Sequence, residues 1–140
     1  MIRINKSPRD ILDNIYSLAY WMTGNEHASG ELVKTTYSNA GNCSQETDLL
    51  KSFRDSYVKR YGQDSDLYIK ESALATDKSL RESIRQKAAD VKLSVLLSEI
   101  SGLKHRQISE IMEKPVETIR LWLLWGRKSL VNETLLKASA

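Results

Sequence analysis

Two helix-breaking positions within a run of helically spaced apolar residues constrain the fold of this chain more than any other feature. Gly102 can end one helix in a left-handed conformation, and Pro115 cannot continue the next one. A single short helix fits between them, and after Pro115 a new apolar stripe passes through Ile119, Leu123 and Leu130. Two such helices meet at a steep angle, so this segment is predicted to form a helix-turn-helix.

Helical spacing also runs through the first 62 residues. Ser7 and Pro8 mark a helix start, because serine caps free backbone amides and proline suits the first helical position. This helix is predicted to end at Gly24, a second to begin near Glu26, and a third to span residues 46–59. Three short helices with apolar stripes predict a small bundle.

The fold class predicted from these patterns is all-α, with two small helical domains. The first spans residues 1–62, a polar and acidic linker covers 63–82, and the helix-turn-helix domain covers 83–140. No segment of useful length alternates in the manner of a half-buried strand.

The positive charge is concentrated in the second domain. The whole chain has a net charge of +3, and residues 83–140 hold ten basic and six acidic side chains. An excess of lysine and arginine on a small helical domain favours an anionic partner such as DNA, because phosphate contacts release condensed counterions. A solvated basic surface is an equally simple alternative.

The sequence gives no support for an enzyme or a metal protein. His27 and His105 stand apart from other metal ligands, and the chain lacks a glycine-rich phosphate loop or a nucleophile motif. The single Cys43 can form neither an internal disulfide nor a zinc site. No catalytic residue, cofactor, metal or small-molecule substrate is therefore predicted. Without a bilayer-length apolar run or a secretion signal, a cytoplasmic protein with no membrane partner is expected.

Several stretches of the chain are similar to signatures of the sigma-70 family. Residues 100–112, reading ISGLKHRQISEIM, and 115–120, reading PVETIR, resemble the helix-turn-helix of sigma region four. Residues 22–25, reading MTGN, and the ASGELV at 28–33 resemble region two of small extracytoplasmic-function sigma factors. The resemblance implies an alternative sigma factor, a transcription-initiation protein that binds core RNA polymerase and promoter DNA.

The resemblance also assigns contact residues. In the N-terminal bundle, Phe53 would stack on an unpaired base, and Glu31 and Lys34 belong to the helix that docks on the polymerase clamp. The C-terminal module would hold the polymerase flap and approach the upstream promoter element. The residues implied to bind DNA are Lys51, Phe53, Arg54, Lys104, His105, Arg106, Thr118, Arg120, Arg127 and Lys128.

The second helix of the motif departs from the sigma pattern. Leu121, Trp122, Leu124 and Trp125 stand on its outward side or flank. The family usually places a serine and an arginine where Leu121 and Trp122 stand, and another arginine near Trp125. Leucine and tryptophan cannot make bidentate hydrogen bonds to bases, whereas exposed apolar patches often bind proteins. The alternative is therefore a sigma-like interaction module, a regulator or decoy that binds an anti-sigma factor, another regulator or itself. Packing of the two tryptophans in the core and a stand-alone DNA-binding regulator are the remaining alternatives.

Overall fold

The computed structural model describes residues 6–41, 45–62 and 87–138, with side chains up to residue 127 in the last segment. Regular structure in these segments is α-helical, without a strand, which confirms the all-α prediction. The helices are α1 (Pro8–Thr23), α2 (Glu26–Ala40), α3 (Glu46–Tyr61), α4 (Ala88–Glu99), α5 (His105–Met112) and α6 (Val116–Ala138). The predicted linker and Cys43 lie outside the described residues. Within these segments, no helix is both long and apolar enough to cross a membrane.

The first helix begins and ends where its capping residues predict. The Asp10 carboxylate accepts from the Ser7 amide, and the Ser7 hydroxyl accepts from the Asp10 amide, each over 3.1 Å. These bonds satisfy free amides of the first turn and hold the pKa of Asp10 below its ordinary value. At the other end, Gly24 adopts the left-handed conformation with a φ of 68° and donates its amide to the Tyr20 carbonyl.

Helices α1, α2 and α3 pack against one another as a bundle. Asn25 caps α2 by accepting from the Ala28 amide over 2.9 Å. Helix α3 begins at Glu46 as predicted and continues to Tyr61, slightly beyond the predicted end. All three helices contribute large buried side chains, among them Ile15, Leu18, Leu32, Leu50 and Phe53.

Helix α4 lies at the centre of the fold. Every residue from Ala89 to Leu97 is buried, because α1, α3, α5 and α6 all contact this helix. A helix covered on all sides is normally apolar all round, yet α4 also buries Asp90 and Lys92. The apolar spacing predicted a helix here but not its nearly complete burial.

Polar contacts link the N-terminal bundle to the C-terminal helices. The Arg54 guanidinium in α3 donates to both carboxylate oxygens of Asp90 in α4 over 3.0 Å. The Lys6 ammonium donates to the Glu46 carboxylate over 2.7 Å and to the Ser101 carbonyl over 2.6 Å. Helices on both sides of the predicted linker therefore contribute to one continuous core among the described residues.

Candidate nucleic-acid interface

Helices α5 and α6 form consecutive packed helices with both predicted helix breakers in place. Gly102 follows α4 with a φ of 67°, and Pro115 immediately precedes α6. The Gln107 side-chain oxygen accepts from the Lys104 amide over 3.0 Å and so caps the start of α5. Ile108 is fully buried, which anchors α5 on the core beside α6.

The turn between α5 and α6 is closed by hydrogen bonds and by one unusual backbone conformation. Glu113 is left-handed, with a φ of 55°, a feature that the sequence did not reveal because glycine is the usual residue there. The Lys114 amide donates to the Ser109 carbonyl over 3.1 Å, and the Ser109 hydroxyl donates to the Lys114 carbonyl. These contacts hold the chain in the turn from which α6 starts.

Helix α6 has a buried side and an exposed side, as its spacing predicts. Leu123 is buried, and Gly126 lies so close to α4 that an added Cβ would come within 2.6 Å of Val95. Leu121 and Leu124 are 41% and 49% exposed. Residues that cannot hydrogen-bond to base edges therefore occupy the side that would face a DNA groove.

The tryptophans of α6 pack toward the core. Trp122 is only 4% exposed, so its assignment to a protein-contact surface is wrong and the core-packing alternative holds for it. The physical reason is its position beside Leu123, at the edge of the buried side, where the large ring gains most by leaving water. Trp125 is half-buried and packs against the core. Leu121 and Leu124 remain as the apolar residues that point outward.

Several of the basic residues predicted to contact DNA are exposed. Lys104, His105 and Arg106 are exposed at the start of α5, and Arg120 is exposed on α6. Thr118, in the first turn of α6, is half-buried. Basic side chains at a helix N-terminus oppose the helix dipole, so a bound anion such as phosphate would be favourable there.

Arg127 is already engaged within the protein. Its Nε donates to the Glu99 carboxylate over 2.9 Å, and its Nη2 donates to the Ser98 hydroxyl over 2.8 Å. A DNA phosphate would compete with these contacts for the guanidinium, so Arg127 is a weaker candidate than Arg120, although both are exposed. The side chain of Lys128 lies outside the described residues.

The N-terminal residues that were predicted to contact DNA are buried or half-buried. Phe53 is fully buried, so its predicted stacking on an unpaired base is wrong, because neither face of the ring is accessible. Phe53 stands three residues after Leu50 and four before Tyr57, a helical spacing of apolar residues that is typical of a buried side. Arg54 is bound to Asp90, whose hydrogen bonds raise the pKa of the guanidinium above its ordinary value. Lys51 is half-buried.

Helix α1 carries an exposed apolar surface that sequence reasoning missed. The residues of this α1 apolar surface are Leu12, Tyr16 and Tyr20, which are spaced four residues apart and so lie along one side of the helix, whereas Trp21 is exposed about 100° further round it. Helical spacing alone would group Leu12 with the buried Ile15 and Ala19, but Leu12 lies at the margin of the packed side of α1 and is 40% exposed. On the neighbouring α2, Lys34 is exposed and Glu31 is half-buried.

A polar groove of about 440 Å³ lies between α2 and α3. The Ser52 hydroxyl at this groove donates to the Thr36 carbonyl over 2.8 Å, and the Asn39 amide donates to the Ser56 hydroxyl over 3.3 Å. These polar groups are therefore satisfied within the bundle. No group of three His, Cys, Asp or Glu side chains in the described segments is placed to hold a metal ion.

Comparisons of the chain with protein-family models, with curated proteins and with solved structures found no match. The features that bear on function are therefore those of the chain itself. Its most informative features are the exposed basic residues of α5 and α6, the outward leucines of α6 and the α1 apolar surface.

Proposed function

We propose that the chain is a sigma-factor-like protein of transcription initiation, with a region-two-like unit in residues 1–62 and a region-four-like unit in residues 83–140. The observation that carries the proposal is the α5–α6 arrangement, in which a hydrogen-bonded turn joins two helices and leaves one side of the second exposed. In this proposal the C-terminal unit approaches promoter DNA, and the N-terminal unit binds core RNA polymerase.

The DNA contacts in this proposal are chiefly contacts to phosphate. Lys104, Arg106 and Arg120 are exposed and can pair with phosphates, which releases counterions from the duplex. Leu121 and Leu124 offer only apolar contact, for example with thymine methyl groups. Binding is therefore expected to depend strongly on salt and to discriminate modestly between sequences.

The α1 apolar surface supports a protein partner for the N-terminal unit. Exposed apolar patches on small proteins mark interaction sites, and tyrosine and tryptophan are enriched among the residues that dominate binding energy. Tyr16 and Tyr20 of this surface are 45% and 50% exposed. In the proposal, core polymerase covers this surface together with the exposed Lys34 of α2.

A second candidate function is a sigma-like interaction module that regulates transcription through a protein partner. The outward positions of Leu121 and Leu124 favour it, because two exposed leucines on one helix side gain more from apolar contact than from a polar groove. An anti-sigma factor or another regulatory protein would then cover α6.

Affinity purification of the full chain from its native cell extract tests the proposed binding to core RNA polymerase, and recovery of core polymerase subunits supports it. Binding to promoter fragments at several salt concentrations tests the proposed contact with DNA. Replacing Arg120 with Ala is expected to weaken binding to all sequences alike and to reduce the salt slope by about one. Replacing Arg9 with Ala removes an exposed arginine from α1 and serves as the matched control, with no change expected.

Failure to recover polymerase, together with an absence of DNA binding, would overturn the sigma-like proposal. Recovery of a single small regulator in place of polymerase would favour the second candidate.

A further inference from the structure

The exposed side of α6 has the residue spacing of a coiled-coil seam. Glu117, Leu121 and Leu124 are exposed and are separated by four and then three residues. The helical backbone continues to Ala138, and the sequence keeps the same spacing with Lys128, Val131 and Leu135. Alternation of three and four is the heptad pattern by which one helix packs along another.

Over residues 116–127, where the side chains are described, the buried side of α6 is covered by its own chain. Helix α4 packs on that side, with Gly126 of α6 set against Val91 and Val95. Leu121 and Leu124 lie away from this contact and are 41% and 49% exposed. A further helix that packs on this part of α6 therefore meets the seam that contains Leu121 and Leu124.

We infer that this seam binds a second copy of the chain, with the two α6 helices antiparallel about a two-fold axis between residues 122 and 123. Leu121 of each copy then lies level with Leu124 of the other. By the same register, Glu117 of each copy lies level with Lys128 of the other. A two-fold interface must be complementary to itself, and this order of acidic, apolar, apolar and basic residues meets that condition.

The charges favour this antiparallel pair over the alternatives. A parallel pair would set Glu117 against Glu117 and Lys128 against Lys128, which is unfavourable. In the antiparallel pair, Arg120 of one copy approaches Arg127 of the other, but Glu99 already neutralises Arg127 at 2.9 Å. The inference does not depend on the proposed sigma-like function, because it concerns self-association alone.

Sedimentation equilibrium of the full chain over a range of micromolar concentrations tests the inference. The expected result is a concentration-dependent dimer, with twice the 16.0 kDa mass of one chain. Replacing Leu124 with Asn should raise the dissociation constant at least about tenfold, because it places a polar group in an apolar layer. Replacing Leu12 with Asn is the matched control, since Leu12 is a leucine of α1 with a similar exposure of 40%, and the dimer should persist.

A charge exchange tests the register. Glu117→Lys and Lys128→Glu should each weaken the dimer, and the double variant should restore it, because the two residues are apposed only in the antiparallel pair. Helical circular dichroism of each variant shows that the fold is retained. The inference is overturned if the wild-type chain stays monomeric, if Leu12→Asn rather than Leu124→Asn dissociates the dimer, or if the double charge variant fails to recover.

Discussion

The ion pair between Arg54 and Asp90 gives the sharpest test of how the two ends of the chain are joined. Asp90 is 1% exposed in the central helix α4, and its carboxylate accepts two hydrogen bonds of 3.0 Å from Arg54. Replacing Arg54 with Met keeps most of the apolar stem but removes the guanidinium. Loss of one partner from a buried pair costs about 3 to 5 kcal/mol, because the remaining charge keeps its desolvation penalty.

Urea denaturation followed by circular dichroism measures this loss directly. For a chain of 140 residues, a loss of about 3 kcal/mol corresponds to a fall in melting temperature of roughly 10 °C. The double variant Arg54→Met and Asp90→Leu should recover most of the stability, since an apolar pair of similar volume can replace a buried ion pair. Replacing Asp55 with Ala removes the weaker and exposed contact of Arg54, at 3.4 Å, and should change stability by less than about 1 kcal/mol.

The result that would refute this reasoning is a stable Arg54→Met variant with impaired DNA binding. That outcome would indicate that Arg54 contacts DNA, as the sigma resemblance implies. An unfolding free energy within about 1 kcal/mol of the wild type would show that the pair does not hold α3 on α4.

Three further predictions concern packing and pH. Gly126→Ala should lower the unfolding free energy by about 1 to 3 kcal/mol, because its Cβ would come within 2.6 Å of Val95; an unchanged melting curve would contradict this packing. Gly30→Ala should instead raise stability by roughly 0.5 to 1 kcal/mol, because among the described residues its Cβ would contact only the Tyr16 hydroxyl, at 3.5 Å, and a mid-helix glycine is unfavourable. The pKa of Asp10 is lowered in the folded state, so its stabilising effect should be present above the ordinary value of 3.8 and lost as the pH falls through the lower folded value. Melting temperatures of the wild type and Asp10→Asn should accordingly converge in acid, and a constant difference would contradict the assigned cap.

The sequence allowed the features that depend on near neighbours to be predicted. Ser7 and Gly24 marked the ends of α1 because capping involves residues within one helical turn. The spacing of α6 separated buried Leu123 from exposed Leu121 for the same reason, since helical periodicity fixes the angle between them. Local rules of this kind gave the helices and the two sides of α6.

The features that depend on distant segments could not be predicted from the sequence. The buried Asp90 is paired with Arg54, which lies 36 residues earlier in the chain, and no local pattern connects the two. The family resemblance misassigned Phe53, because a motif carries a role from one context to another without testing accessibility. Likewise, α4 is covered on all sides only because helices from both ends of the chain meet on it.

The two uses inferred for α6 make opposite demands on one surface, and this makes them separable. Antiparallel pairing covers Leu121 and Leu124, so a paired α6 cannot insert the same side into a major groove. Lys104 and Arg106 lie on α5, outside the seam, and stay free to contact phosphate. A dimer should therefore retain salt-dependent binding to DNA of any sequence, whereas groove contact requires the monomer.

Leu124→Asn leaves the charge unchanged and is expected to favour the monomer. At concentrations where the wild type is dimeric, this variant should therefore discriminate better between DNA sequences than the wild type does. Equal discrimination by the two proteins at those concentrations would show that α6 does not serve both partners.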